Sequence, residues 1–234
     1  MELSKRLQAV ADLVTAGYKM ADIGTDHAYI PISLVSEEKI PGAVAMDVNE
    51  GPLERAQIHV REHHMEDRIE MRLSDGFSAL KPGEAQSAVI AGMGGALMIR
   101  ILKEGAETVS SLDECILQPQ SEIEKVRAFL LEEGFLFLEE NMVKDDGKYY
   151  PMMKVKPGGR KPQERWSKEQ LRYGKLLLEG KNPVLREFLE REIRLKREIL
   201  SEIRGMDSER TQKRREELEK ELEYAEKGMD YYAL

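Results

Sequence analysis

Residues Met20 to Pro31 read MADIGTDHAYIP, an apolar run that ends in a turn of small and acidic residues, and Asp47 follows 23 positions after Gly24. This arrangement suits a nucleoside cofactor. In a Rossmann-type unit the first strand presents its turn to the cofactor, while an acid at the tip of the second strand accepts hydrogen bonds from the ribose hydroxyls. KIPGAVAMD, Lys39 to Asp47, supplies that second strand and its acid. A dinucleotide would need a second glycine so that backbone can approach its pyrophosphate, but Asp22, Gly24, Asp26 and Ala28 take the alternate positions here. Carboxylates there repel phosphate. They attract a cation, such as the amino-acid moiety or sulfonium of S-adenosylmethionine (AdoMet), which carries no phosphate.

These residues need a scaffold, and up to Gly134 strand-like and helical runs alternate as in a parallel sheet with crossover helices. The expected strands are Lys19 to Gly24, Gly42 to Asp47, Ile69 to Leu73, Ser87 to Ala91 and Glu114 to Gln118. Helices are expected over Ile30 to Glu37, Pro52 to Met65, Ala96 to Glu104 and Ser121 to Glu133, the last opening with a Ser-x-x-Glu capping box. Phe135 to Val143 and Tyr149 to Val155 then form a hairpin across DDGK. KPGGRKP marks a linker, and the tail reads as helices over Ser167 to Glu179, Pro183 to Arg204 and a last stretch carrying Leu218, Leu222, Ala225 and Met229. Two apolar stripes around a short break at Gly205 to Asp207 favour an antiparallel, coiled-coil-like helical hairpin.

The formal net charge is −8, but residues 1–159 carry 17 Lys+Arg against 27 Asp+Glu, whereas residues 160–215 carry 17 against 10, a local +7. Phosphate attraction acts over about a Debye length, so a basic region can grip nucleic acid on an acidic protein; a solvated helix surface explains the charge equally well. Cys115 is the only cysteine, which excludes an intrachain disulfide and fits a reducing compartment. No apolar stretch reaches the roughly 20 residues of a membrane span and no signal-type core opens the chain, so a cytoplasmic location is expected.

The ordered set LSKRLQAVADLV, ADIGTDHAYIP, AMDVNEGPLERA, LSDGF, IAGMGG, LQPQ and GKYYPM resembles one family, the bacterial tRNA (adenine-22-N1)-methyltransferases, or TrmK family. The resemblance is dense over residues 1 to 155. It implies an α/β fold: a class I AdoMet-dependent methyltransferase (Rossmann-like) sheet over residues 1–159 and a C-terminal helical, coiled-coil-like domain over 160–234. The implied activity is methyl transfer from AdoMet to N1 of adenine 22 in tRNA. Asp22, Gly24, Asp47, Val48, Asp75, Gly76, Gly92, Met93 and Gly94 are then expected around AdoMet, and Asp26, His27 and Tyr29 around the reacting atoms. Arg160, Lys161, Arg165, Lys168, Arg172 and Lys175 are expected to hold RNA phosphates. The AGMGG segment replaces the Asn/Asp-Pro-Pro-aromatic clamp of amino-group methyltransferases. N1 of adenine is unprotonated at neutral pH, so positioning rather than a strong base is required.

Other residues have plainer readings. Asp26 alternatively caps the following helix, AGMGG alternatively makes a tight turn before one, and Asp75-Gly76 is otherwise a simple turn. His59 and His63 lie one helical turn apart, but no HExxH accompanies them, so a solvated outer face is expected and no metal. Tyr149, Tyr150 and Trp166 offer rings to RNA or pack within the fold. Competing functions are small-molecule methylation with a dimerising tail, and nucleotide sensing with the helical tail as the interaction element. The favoured reading has tRNA as partner, no DNA, no membrane and a monomer.

Overall fold

The computed structural model describes residues 2–158, 165–205 and 208–233. Its elements in chain order are α1 (Lys5–Leu13), β1 (Met20–Ile23), α2 (Tyr29–Ser36), β2 (Ala43–Asp47), α3 (Glu50–Glu62), β3 (Ile69–Leu73), β4 (Ser87–Gly94), α4 (Gly95–Glu104), α5 (Ala106–Val109) and β5 (Glu114–Ser121). There follow α6 (Ile123–Glu132), β6 (Leu136–Asp145), β7 (Lys148–Lys156), α7 (Lys168–Tyr173), α8 (Lys175–Glu179), α9 (Pro183–Glu202) and α10 (Glu209–Asp230). The strands form one seven-stranded sheet in the order β3-β2-β1-β4-β5-β7-β6, in which β7 runs against both neighbours and the other pairings are parallel.

Because successive side chains of a strand point to opposite faces, each central strand feeds two cores. Ala21, Ile23, Val44 and Met46 meet Met98 and Leu102 of α4 and Val126 and Leu130 of α6 on one face. Met20, Ala43 and Ala45 meet Val10 of α1, Ile32 of α2 and Val60 of α3 on the other. Asp22 shares the parity of Met20 and comes at the strand end, where that second face gives way to an opening. α1 is tied to the far side of the sheet, since the Arg6 backbone N–H donates to Asp145 at 3.0 Å and Lys154 Nζ donates to the Leu13 carbonyl at 2.9 Å.

Two local expectations need correction. The Ser-x-x-Glu capping box does not form: Ser121 stays in β5, where its Oγ accepts from Gly95 N at 3.4 Å, and α6 starts after Glu122 with no side-chain cap. The AGMGG segment is not a simple turn either. It continues β4 through Gly94 with register irregularities at Ala91/Met93 and Met93/Gly94, and Gly92 takes φ 81°, a left-handed conformation that suits glycine at a bulge.

The chain divides into two compact units, Met1–Arg165 and Trp166–Leu234. The segment around the expected boundary at 159 lies largely outside the described residues. In the second unit the helix expected over 167–179 is broken into α7 and α8 by Gly174, whose φ of 97° no helix accommodates. α9 and α10 form an antiparallel hairpin, with Arg197 bonded to Glu226 at 2.7 Å and Lys196 paired with Glu221 at 3.5 Å. Gly228 lets the helices approach: a Cβ there would stand 3.3 Å from Leu189 and from the Tyr173 ring. Among the described residues no helix is long and apolar enough to cross a membrane.

Candidate active site

The C-terminal ends of parallel strands are where open α/β sheets receive ligands, and the singled-out residues come to that edge. After β1 the chain turns at Gly24, φ 79°, and the N–H groups of Gly24 and Thr25 both donate to the Met46 carbonyl at 2.8 Å. This bond pair sets the β1 turn beside the end of β2. Gly24 also packs against the Met93 methyl from the end of β4, and its positive φ disfavours any larger residue there. Ala28, φ 54°, then starts α2 without any side-chain cap. Asp26 therefore does not cap that helix.

Asp26 instead accepts from Arg55 Nε of α3 at 3.1 Å and stands 3.3 Å from His27 Nε2. Three rings lie face to face: His27 on Tyr29 with centroids 4.8 Å apart at 8°, and His59 of α3 5.1 Å from His27 and 5.4 Å from Tyr29. The His59 ring is held through Nδ1, 3.1 Å from the His27 carbonyl oxygen. His59 thus corrects the expectation of a solvated helix face, although its neighbours His63 and His64 are exposed as expected. A pattern of histidines one turn apart signalled it only weakly, because the partners lie about thirty residues away. Among the described residues no three His, Cys, Asp or Glu side chains are grouped to hold a metal.

A cavity of about 270 Å³ opens here, lined by Arg6, Asp22, Gly24, Asp26, His27, Tyr29 and Ala91 among others. Asp22 is 8% exposed, and burial, reinforced by the Asp47 carboxylate and opposed by the Thr25 hydroxyl, pushes its carboxyl up to about 6. A raised pKa means the folded state holds the proton more tightly than the unfolded chain. The associated stability is present below about pH 4 and lost as the pH rises through about 6, leaving at neutral pH a cost on the order of 3 kcal/mol. Asp22→Asn should therefore raise the melting temperature of the ligand-free protein at pH 7.5, with the gain vanishing near pH 4. Calorimetric melts of both proteins across that range check the sign.

The other expected cofactor residues continue along the same edge without lining this cavity. Asp47 ends β2, where its Oδ1 accepts from Asn49 N at 2.8 Å, and Val48 beyond it is 58% exposed. Asp75 and Gly76 follow β3 in a turn held by the Ser74 hydroxyl, which donates to the Gly76 carbonyl at 2.9 Å; Asp75 itself faces Arg100 at 3.2 Å. Gly92, Met93 and Gly94 end β4. In the tail, Arg165 and Lys168 are exposed, Arg172 lies 3.6 Å from Glu221 and Lys175 lies 3.8 Å from Glu179, while Arg160 and Lys161 fall outside the described residues. Trp166 and Tyr150 are half-buried, and Lys144 lies over the Tyr149 ring at 5.4 Å.

Comparison with known proteins bears on the family and the fold. The family model of tRNA (adenine(22)-N(1))-methyltransferase matches residues 20–227. The tRNA (adenine(22)-N(1))-methyltransferase of Bacillus subtilis is 38% identical over 160 residues, 68% of this chain and 67% of that protein. The fold matches Sp1610 of Streptococcus pneumoniae in complex with AdoMet, with a TM-score of 0.85 at 31% identity over 97% of this chain and 100% of that one. It also matches Mycoplasma capricolum TrmK in complex with S-adenosylhomocysteine, with a TM-score of 0.82 at 26% identity over 99% of each chain. Matched by the family model over residues 20–227 and sharing its fold with these proteins, the chain belongs to the TrmK family of tRNA (adenine(22)-N(1))-methyltransferases.

Proposed function

We propose that methyl transfer from AdoMet to N1 of adenine 22 in tRNA takes place at the cavity beyond β1, with Asp26, His27 and Tyr29 around the target base. The observation that carries this reading is the pairing of an acidic cavity with a flat aromatic stack on its rim. Asp22 is a nearly buried carboxylate with no cationic protein partner among the described residues, which fits a ligand bearing ammonium and sulfonium groups. The cavity is somewhat below the roughly 300 Å³ of the smaller usual ligand sites. It would take the polar end of AdoMet, whose nucleoside would follow the strand ends past Asp47 and Val48 to Asp75 and Gly76.

When bound, AdoMet supplies an electrophilic methyl group on sulfur, open to in-line attack by the lone pair of N1. The chain's contribution is then to orient, to exclude water and to stabilise charge. Gly92 and Gly94 at the bulged end of β4 remove side chains where a flat base must come close. Tyr29, its ring backed by His27 and His59, offers a face for stacking the extruded base. His27 Nδ1 is buried without a hydrogen-bond partner among the described residues and supports a contact made only when ligands are present. Asp26 faces the positive charge that the methylated base acquires.

Asp47 has its Oδ1 engaged with Asn49, while no described protein donor reaches its Oδ2. That oxygen is assigned to the ribose hydroxyls. Asp47→Ala should weaken AdoMet binding by roughly 1.5–3 kcal/mol, the scale of hydrogen bonds to a charged group. Titration calorimetry giving unchanged affinity would take Asp47 out of the cofactor site. The function as a whole is tested by incubating the protein with unmodified tRNA and labelled AdoMet and mapping the modified nucleotide. A primer-extension stop at adenine 22 is the expected result; label in a metabolite pool and none in tRNA would favour a small-molecule substrate.

A further inference from the structure

Arg55 stands in the second turn of α3 and, among the described residues, is the only Lys or Arg bonded to any of the three side chains placed around the target base, Asp26, His27 and Tyr29. Its Nε and Nη2 both donate to Asp26 Oδ1, the former at 3.1 Å, while Asp26 Oδ2 lies 3.3 Å from His27 Nε2. Nη1 bonds to no protein acceptor among the described residues. A Cβ on Gly51 would stand 3.7 Å from Nη1, so bare backbone borders that side of the fork. The Arg55 side chain is 49% exposed and lies outside the cavity lining, on the solvent side of Asp26.

This pairing is at odds with a permanent role. A carboxylate that must face the cationic methylated base is least effective while a guanidinium already neutralises it. The pair is easily opened, because an exposed ion pair contributes little to stability. An extruded nucleotide brings its flanking phosphates to the rim of the pocket, and a guanidinium binds phosphate through two parallel N–H bonds. Resting on the placement of the target adenine proposed above, we infer that Arg55 is the binding site for a backbone phosphate beside that adenine, and that it passes from Asp26 to the phosphate when RNA docks. Asp26 Oδ1 is thereby released to the base, with Oδ2 still beside His27. The site gains its unpaired negative charge only once a polynucleotide is seated, which favours RNA over free nucleosides.

A cycle between protein and substrate tests this. tRNA is assembled with one uncharged methylphosphonate on the 5′ or the 3′ side of nucleotide 22, on a 2′-deoxynucleotide, and is compared with the deoxy phosphate at the same place. Single-turnover methylation by the full-length native protein, below saturation, should fall roughly 10- to 100-fold at one of the two positions, the scale of a charge-assisted hydrogen bond. Arg55→Met should lose a similar factor on the phosphate tRNA and nothing further on the methylphosphonate at that position. On that methylphosphonate tRNA the variant should match or outpace the native protein, whose Asp26 stays masked. Arg55→Lys, which keeps the charge without the fork, should recover part of the rate on the phosphate tRNA. Both variants should melt as the native protein does, since the replaced side chain is exposed. Arg55→Met slower than the native protein by one and the same factor on every tRNA would overturn the inference and leave Arg55 as a support for Asp26. So would a native rate indifferent to both methylphosphonates. Absence of methyl transfer by the native protein to the all-phosphate tRNA would overturn the proposed function itself, and the inference with it.

Discussion

Asp26→Ala is expected to slow single-turnover methylation of tRNA by about 100-fold, the scale lost when a group near the reacting centre is removed or misplaced, while leaving AdoMet affinity nearly unchanged. The neutral base enters and leaves the site as a cation once N1 carries the methyl group, so positive charge on the base grows along the reaction path. A carboxylate at its edge therefore contributes most in the transition state, which is the condition for affecting rate more than binding. Asp26 is presented for this role by its neighbours. Arg55 Nε holds one oxygen at 3.1 Å and His27 Nε2 stands 3.3 Å from the other, yet the side chain is 59% exposed. Exposed pairs of this kind are worth little to stability, so the substitution should leave folding intact. Rapid-quench kinetics beside calorimetric titration give the comparison. Equal losses in rate constant and AdoMet affinity would make Asp26 a binding residue only.

Removing the tail after Pro157 should preserve AdoMet binding and reduce tRNA methylation by at least about 100-fold, because all the residues proposed for AdoMet and the target base precede that point while the net +7 of residues 160–215 follows it. Two features of the structure support an independent first unit: its cores are made of residues within Met1–Arg165, and the tail has a separate apolar interior. If six cations met phosphates, the logarithm of affinity would fall against the logarithm of salt with a slope of about −4 to −5. Arg172 and Lys175 already face Glu221 and Glu179 at 3.6 and 3.8 Å, so RNA must compete for them and a shallower slope is expected. Reversing charge at Arg165 and Lys168, both exposed, should flatten the slope without altering AdoMet affinity. A truncated protein methylating at the native rate with native salt dependence would show that the first unit grips RNA alone. Sedimentation of both forms would then test the tail as a self-association element, against the monomer expected from the sequence.

Much of the scaffold was legible in the sequence because its causes are local. The short apolar run AVAM, bounded by Pro41 and Gly42 before it and Asp47 after it, reads as a strand buried on both faces. DDGK announces its hairpin through residues that tolerate positive φ, and Asp146 and Gly147 adopt 46° and 72° there. The motif turns were placed for the same reason, since a strand end followed by Gly and Asp carries its geometry within a few residues. What the tertiary structure alone decided is every contact made across the sheet. His59 joins the His27 and Tyr29 rings from a helix that the local pattern assigned to solvent. Arg6 enters the cavity only because Gln118 and Asp145, 112 and 139 residues away, meet the first turn of α1. Ser121 gave up its cap to serve the backbone of Gly95 at the start of α4. Periodicity and turn chemistry report the neighbours of a residue along the chain; which element packs over it follows from the order β3-β2-β1-β4-β5-β7-β6, and that order arises from burying all the apolar faces at once.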